Sequence, residues 1–187
     1  FILKNSYSII IPVFNEIKQI GKVLEHLYIF HQKGHEIILV DDGSDDGTNA
    51  VLKSCNFINL ICLEENKGKG VALKEGILHS SSNKLVLFDG DFEIHPNQIE
   101  KLMVLNPSKN TYCVFANRYE MWNETSLWSA GNRVFTSIFN IVYNSKIKDA
   151  LCCAKSFYKT DILFRDLKSE KFDIDVEISS MLVKRHK

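Results

Sequence analysis

The sequence lacks a net charge. Lysine plus arginine equals aspartate plus glutamate at 23 each in 187 residues, so there is no electrostatic case for nucleic acid as a partner. It also lacks a long apolar run: none approaches the roughly 18–20 residues of a membrane span. No charged-then-apolar leader opens the chain at Phe1, so no signal peptide is expected. There is no initiating Met, and Lys184-Arg185-His186-Lys187 follows an apolar helical pattern without a stop signal, so both ends are expected to be cuts from something longer. No Cys-x-x-Cys occurs, and the five cysteines are an odd number, which excludes a disulfide framework and favours a reducing, cytoplasmic setting. Cys55, Cys62 and Cys113 sit in or beside apolar runs and read as small core residues. No Gly-x-Gly-x-x-Gly follows the first apolar run, which argues against a dinucleotide oxidoreductase, and the P-loop spacing is absent. There is no internal repeat, low-complexity segment or linker.

What is present is an ordinary globular balance, 45% hydrophobic and 25% charged, in a length that suits one domain. Short continuous apolar runs predict strands at residues 7–13, 36–40, 59–63, 84–88 and 112–116. Between them, Ile17, Ile20, Val23, Leu24, Leu27 and Tyr28 recur at helical spacing. Helices are also predicted over 45–55, with Ser44 or Asp45 as cap, over 70–79, and from Pro96, a residue tolerated in a first helical turn. The runs are continuous rather than alternating, and they alternate with helices, so the fold class is α/β: a mostly parallel central sheet with helices on both faces. After residue 120 the alternation stops. Residues 127–143 form a helix with a wide apolar face that includes Trp128, Phe135, Phe139 and Tyr143. A loop follows around 149–155, and a last helix starts near Asp173. The 127–143 helix reads as a core helix before a lipid-facing one, because its polar face is not rich in Lys or Arg.

The stretch "LVLFDGDFEIHP" ends a buried-looking strand in Asp89, Asp91 and Glu93. Carboxylates this close raise each other's pKa unless a cation sits among them. By the right-handed crossover rule the strand C-termini share one edge, where open α/β sheets bind ligands. Asn15-Glu16, Asp41-Asp42 and Asp89-Gly90-Asp91 all fall on that edge. The plainer readings are that Asp-Gly merely makes a turn and that Asp42-Gly43-Ser44 is a turn and helix cap.

Together "SIIIPVFNE", "EIILVDDGSDDGT", "ENKGKGVALKEGI" and "LVLFDGDFEIHP" resemble the family 2 glycosyltransferases with the GT-A (Rossmann-like) fold. "FANRYE", "SAGNRVF", "KDALCCAKSFYKTDIL" and "KFDIDVEI" are similar to the branch that includes dolichyl-phosphate mannose synthase and polyprenyl-phosphate glycosyltransferases. The resemblance covers nearly the whole chain and implies one catalytic domain over 1–187, with a nucleotide-sugar and metal half over 1–120 and an acceptor half over 121–187.

The resemblance also implies roles. Asp89 and Asp91, with Glu93 on the same side of an extended segment, would hold Mg²⁺ or Mn²⁺, and the metal would grip the diphosphate of a UDP- or GDP-linked sugar. Pro12, Phe14, Asn15 and Glu16 would line the base and ribose pocket. Asp41 and Asp42 would divide base or ribose contact from turn-making, in either order. Gly90 lies between the metal ligands, and Lys69 would approach the diphosphate or base; a solvated lysine is the alternative. Arg118 and Arg133 match basic positions that would clamp an acceptor phosphate, against surface ion pairs as the plainer reading. Such an acceptor is already ionised and needs no strong base. Asp149 opens the segment "D-x-x-[SC]-G-[FY]-[KR]", in which Cys153 here replaces Gly and Ala154 an aromatic residue. Cys152 and Cys153 read as structural cysteines. Asp175 and Glu177 would orient the arginines or act as a base, against helix-surface charge.

The expectation is therefore an inverting glycosyltransferase acting on a polyprenyl or dolichyl phosphate at the cytoplasmic face of a membrane. A glycan-hydroxyl acceptor, or a non-catalytic nucleotide-binding module, is the alternative.

Overall fold

The computed structural model describes residues 6–91, 94–118 and 127–186, with 127–129 described by backbone alone. Six strands form one sheet: β1 (Ser8–Val13), β2 (Glu36–Asp41), β3 (Asn59–Cys62), β4 (Lys84–Leu87), β5 (Cys113–Phe115) and β6 (Lys155–Tyr158), in the order β3-β2-β1-β4-β6-β5. β1, β2, β3 and β4 are parallel, and β6 runs antiparallel to both β4 and β5. The helices are α1 (Ile20–Gln32), α2 (Thr48–Lys53), α3 (Lys69–His79), α4 (Ile99–Leu102), α5 (Leu127–Tyr143) and α6 (Ile174–Arg185).

Successive strand residues point to opposite faces, and β1 feeds two cores. Ile9, Ile11 and Val13 pack with Val23, Leu27 and Phe30 of α1. Ile10 packs with Ala72, Leu73 and Ile77 of α3 and with Ile174, Ile178 and Leu182 of α6. Each of the three β1 isoleucines is fully buried, worth about 1.5–3 kcal/mol apiece in removed apolar surface. The expected helices on both faces are therefore present. Close packing of α3 explains a glycine in mid-helix: a Cβ on Gly76 would meet the Ile10 side chain at 2.3 Å.

Three expectations need correction. β6 begins at the last residue of the loop expected around 149–155 and runs on where no strand was expected; its four residues are too few to show a period, and the run opens on a lysine. The second helix is shorter than 45–55, and neither Ser44 nor Asp45 caps it. Gly47, with φ 99°, stands at its N-terminus, and Asp46 accepts from the Thr48 amide at 2.9 Å. Cys62 is exposed and Cys55 and Cys113 are half-buried, whereas Cys152 and Cys153 are the core cysteines. Burial pushes the Cys152 thiol up to about 12, which suits an unreactive side chain.

The strand order turns back between β1 and β4, so the crevice of an open α/β sheet lies above their C-terminal ends. Among the described residues no helix is long and apolar enough to cross a membrane.

Candidate active site

An open cleft of about 840 Å³ occupies that crevice. Pro12, Phe14 and Glu16 reach it from the end of β1, Asp42 from β2, Lys69 from the start of α3, and Asp89, Gly90 and Asp91 from the end of β4. Arg118, Asn132 of α5 and Asp175 of α6 close the other side.

Hydrogen bonds to backbone shape the floor. Both carboxylate oxygens of Asp42 accept amides, from Lys67 at 2.8 Å and Gly68 at 2.9 Å, which fixes the turn leading into α3. Asp41 is 1% exposed, lies outside the described lining, and accepts from the Ser44 amide at 3.1 Å and from the Asn49 side chain. Of the two aspartates, Asp42 is the one at the cleft. Asn15 also lies outside the lining. Its φ of 55° turns its amide onto Ser44 Oγ and its side chain onto Asp45, each at 2.9 Å. Gly70 lets α3 begin against the 169–170 backbone: its amide donates to Glu170 O at 2.8 Å, and a Cβ there would meet Glu170 C at 2.5 Å.

Below the cleft runs a chain of alternating charge. Lys155 Nζ, fully buried, donates to Asp175 O at 2.8 Å and Ser179 Oγ at 3.0 Å, with Asp175 Oδ1 at 3.6 Å. Asp175 Oδ2 accepts from Lys69 Nζ at 2.9 Å, and Lys69 Nζ also pairs with Asp89 at 2.8 Å. Burial alone would lower the Lys69 ammonium. The anionic forms of Cys153, Asp89 and Asp175 around it reverse that and raise it well above the usual lysine value. Lys69 is therefore no solvated lysine. Phe172, which sequence reasoning did not single out, holds its ring 5.5 Å from the same ammonium. Lys155 was also not singled out, although it stands at the Lys/Arg position that closes the segment opened by Asp149 and is the one charge in the run from Cys152 to Phe157.

Arg118 meets the buried carboxylate of Asp149 in a two-pronged pair, Nε to Oδ2 at 2.9 Å and Nη2 to Oδ1 at 3.3 Å. That geometry fixes the plane of a guanidinium that opens on the cleft. Arg133 is exposed on α5, one residue beyond Asn132, and does not join the described lining. Glu177 does not enter the cleft either: its carboxylate accepts the amides of Lys168 at 2.9 Å and Ser169 at 2.9 Å. Glu93 lies outside the described residues. No described residue at the Cys152-Cys153-Ala154 turn adopts a left-handed φ, so the backbone there makes no demand for the glycine of the resemblance.

The donor set fits a divalent cation held partly by its ligand. Five carboxylates, Glu16, Asp42, Asp89, Asp91 and Asp175, line one cleft with Lys69 among them. Burial raises Asp89, Asp175 and Asp91 add to the rise, and Lys69 opposes it. Burial likewise raises Glu16, with Asp91 and Asp46 adding. This crowding is what a bound cation relieves. Among the described residues no three His, Cys, Asp or Glu side chains converge as a ligand set.

The glycosyl transferase family 2 model matches residues 8–164. Uncharacterized protein MJ1222 of Methanocaldococcus jannaschii is 28% identical over 194 residues, covering 98% of this chain and 77% of that protein. Glycosyltransferase AglJ of Haloferax volcanii is 25% identical over 97% of this chain and 59% of its own length. Dolichyl-phosphate beta-glucosyltransferase of Mus musculus is 31% identical over 109 residues, 51% of this chain and 34% of that protein, so the match spans about a third of the mouse protein's length. Among solved structures, glucosyl-3-phosphoglycerate synthase from Mycobacterium tuberculosis in complex with phosphoglyceric acid superimposes with a TM-score of 0.70 at 16% identity, over 92% of this chain and 63% of that one. Mannosyl-3-phosphoglycerate synthase from Rubrobacter xylanophilus gives 0.65 at 18% identity, over 82% and 53%. Another complex of the mycobacterial enzyme contains Mn²⁺ and UDP. These likenesses carry the fold, which is GT-A. With a sequence match that runs through every strand and both aspartate-bearing turns of the cleft, this chain belongs to glycosyl transferase family 2 and carries its GT-A glycosyltransferase domain.

Proposed function

We propose that this chain transfers a sugar, with inversion, from a UDP- or GDP-linked donor to a polyprenyl or dolichyl phosphate, using Mg²⁺ or Mn²⁺. The observation that carries the reading is Arg118: locked by buried Asp149, it opens into the cleft that holds Asp89 and Asp91. A guanidinium held in this place suits a phosphate oxygen on the acceptor. The chain's relatives include an enzyme named dolichyl-phosphate beta-glucosyltransferase, and its structural neighbours include one solved with Mn²⁺, UDP and phosphoglyceric acid.

In this reading residues 1–120 form the donor half and 121–187 the acceptor half. Pro12, Phe14 and Glu16 border the nucleoside, and Asp42 holds the turn beside it. Asp89 and Asp91 would hold the metal, with Glu93 as a further ligand. The metal, when bound, stabilises the charge that grows on the departing diphosphate. Lys69 adds a second cation beside that charge. Arg118 places the acceptor phosphate so that its oxygen forms the new bond to the sugar's anomeric carbon as the carbon–oxygen bond to the diphosphate breaks. The acceptor oxygen is already anionic, so no proton needs a base. Of the α6 carboxylates, Glu177 is taken up by backbone amides, which weighs against a glycan hydroxyl acceptor that needs it as base; Asp175 holds Lys69 through Oδ2.

The test is a transfer assay with UDP- and GDP-sugars, Mn²⁺ and a prenyl phosphate. Transfer that requires both the metal and Asp91 supports the reading. Transfer only to glycan hydroxyls, or nucleotide binding without any transfer, overturns it.

A further inference from the structure

Phe172 stands in the turn before α6 and lines the cleft. At 76% exposed it carries the barest phenyl ring among the described residues. The backbone around it is fixed. Before it, Glu177 accepts the amides of Lys168 and Ser169, each at 2.9 Å, and Glu170 O accepts those of Gly70 and Val71 at 2.8 and 3.3 Å. After it, the amides of Ile174 and Asp175 donate to Lys171 O and Phe172 O at 3.2 and 3.3 Å, and the Ile174 side chain is fully buried. A lone exposed phenylalanine on a convex surface calls for no explanation. One held over a polar cleft by a pinned backbone is preorganised to meet whatever enters.

What meets the ring follows from the order of groups along the donor: base, ribose, diphosphate, sugar. In the reading above, the nucleoside lies by Pro12, Phe14 and Asp42, and the diphosphate by Asp89, Asp91 and Lys69. Lys69 Nζ is 2.8 Å from Asp89 and sits over the face of Phe172, 5.5 Å from its centroid. The group that follows the diphosphate is the sugar, and Phe172 is the aromatic face beside that position. A pyranose is amphipathic. Its hydroxyls project around the rim, while its axial C–H bonds give it an apolar face, electropositive because each carbon bears oxygen. The face of a phenyl ring carries the negative part of its quadrupole, so it attracts such a C–H face as it attracts the Lys69 ammonium.

We propose that Phe172 is the platform on which the transferred sugar lies, and so a specificity-determining residue that selects donors by the C–H face of their sugar. This rests on the donor half of the reading above and not on the identity of the acceptor.

The experiment is isothermal titration calorimetry with Mn²⁺ and UDP, UDP-glucose, GDP or GDP-mannose, on the wild type and on Phe172→Ala, Phe172→Leu and Phe172→Trp. No acceptor is present, so failed transfer to a prenyl phosphate leaves this result untouched. The quantity read is the Kd of a nucleotide sugar against that of its parent nucleotide, for whichever base binds. Phe172→Ala should raise the Kd of the nucleotide sugar about three- to tenfold and that of the bare nucleotide by less than about twofold. Phe172→Leu keeps apolar bulk without the ring face and should behave as Phe172→Ala does, whereas Phe172→Trp should restore the wild-type ratio. The melting temperature should not move, because the side chain is exposed, so a lost affinity is not a lost fold. Equal losses for nucleotide and nucleotide sugar, or a Phe172→Leu variant that binds both as the wild type does, overturn this inference alone and leave the donor site standing. No nucleotide binding by the wild type overturns it together with the donor reading.

Discussion

The wall of the cleft made by β1, β2 and β4 is held through the backbone. Asp42 grips two successive amides, and the turn after β1 is tied to Ser44 and Asp45 by Asn15. The facing wall is held through side-chain charge: Arg118 by Asp149, and Asp175 by Lys155 below it and by Lys69 across the cleft. Backbone pinning tolerates changes in the side chains around it. Charge pinning in a buried place does not, because removing one partner leaves the other desolvated. The first wall should therefore lose function when a side chain is changed and keep its shape. The second should lose both together.

The sharpest test of that contrast is Asp91→Asn. It should cut kcat/KM for sugar transfer by about a hundred- to thousandfold with the melting temperature unchanged, since Asp91 stands at an exposed turn. On the opposite wall, Asp149→Ala should lower unfolding free energy by about 3–5 kcal/mol in a urea titration, because it takes away the two-pronged partner of a buried guanidinium. Equal stability for the two variants would dissolve the comparison. Lys155→Met keeps the volume and removes the buried ammonium. A loss of about 1.5–3 kcal/mol is expected, with a raised KM for the nucleotide sugar that Lys155→Arg partly restores. Unchanged KM would mean that Asp175 needs no support from below.

The smallest effect lies at the far end of the sheet. His35 Nδ1 accepts the Tyr7 amide at 3.2 Å, and burial, aided by Lys33 and opposed by Glu100, pulls the imidazole below its usual value. A histidine lowered in the folded state stabilises above the unfolded pKa of about 6.5, and that contribution is lost as pH falls through the folded value. Urea midpoints should therefore drop below about pH 6.5 in the wild type, and drop less in His35→Asn, which keeps an acceptor near Nδ1 without a titrating ring.

Much of this architecture is legible in the residues. β1, β2 and β4 are apolar runs buried on both sides, and such runs announce themselves. α5 begins and ends where its apolar period does, at Leu127 and Tyr143. β6 was hidden because its first residue, Lys155, reads as surface until its ties to Asp175 and Ser179 are known. The site followed the same division. Motifs brought Asp89, Asp91 and Arg118 to attention, but no local signal pairs Arg118 with Asp149, 31 residues on, or Lys69 with Asp175, 106 residues on. Such pairings are products of topology. Asp41 and Asp42 are adjacent and chemically identical, and only the alternation of side chains at the end of β2 sends one to the cleft and the other to the turn.

The late position of β6 bears on how the chain comes off the ribosome. β5 pairs only with β6 in the described sheet, and β6 also covers the free side of β4, joining Leu87 to Lys155. Until residue 158 has emerged, β4 is a bare edge and β5 has no neighbour. An unpaired edge is an invitation to another chain. A nascent or truncated product ending near residue 120 would display two strands waiting for a third, and the same late segment delivers the lysine that steadies the floor of the cleft. The segment that completes the sheet thus comes before the site is complete, which waits for Asp175 of α6.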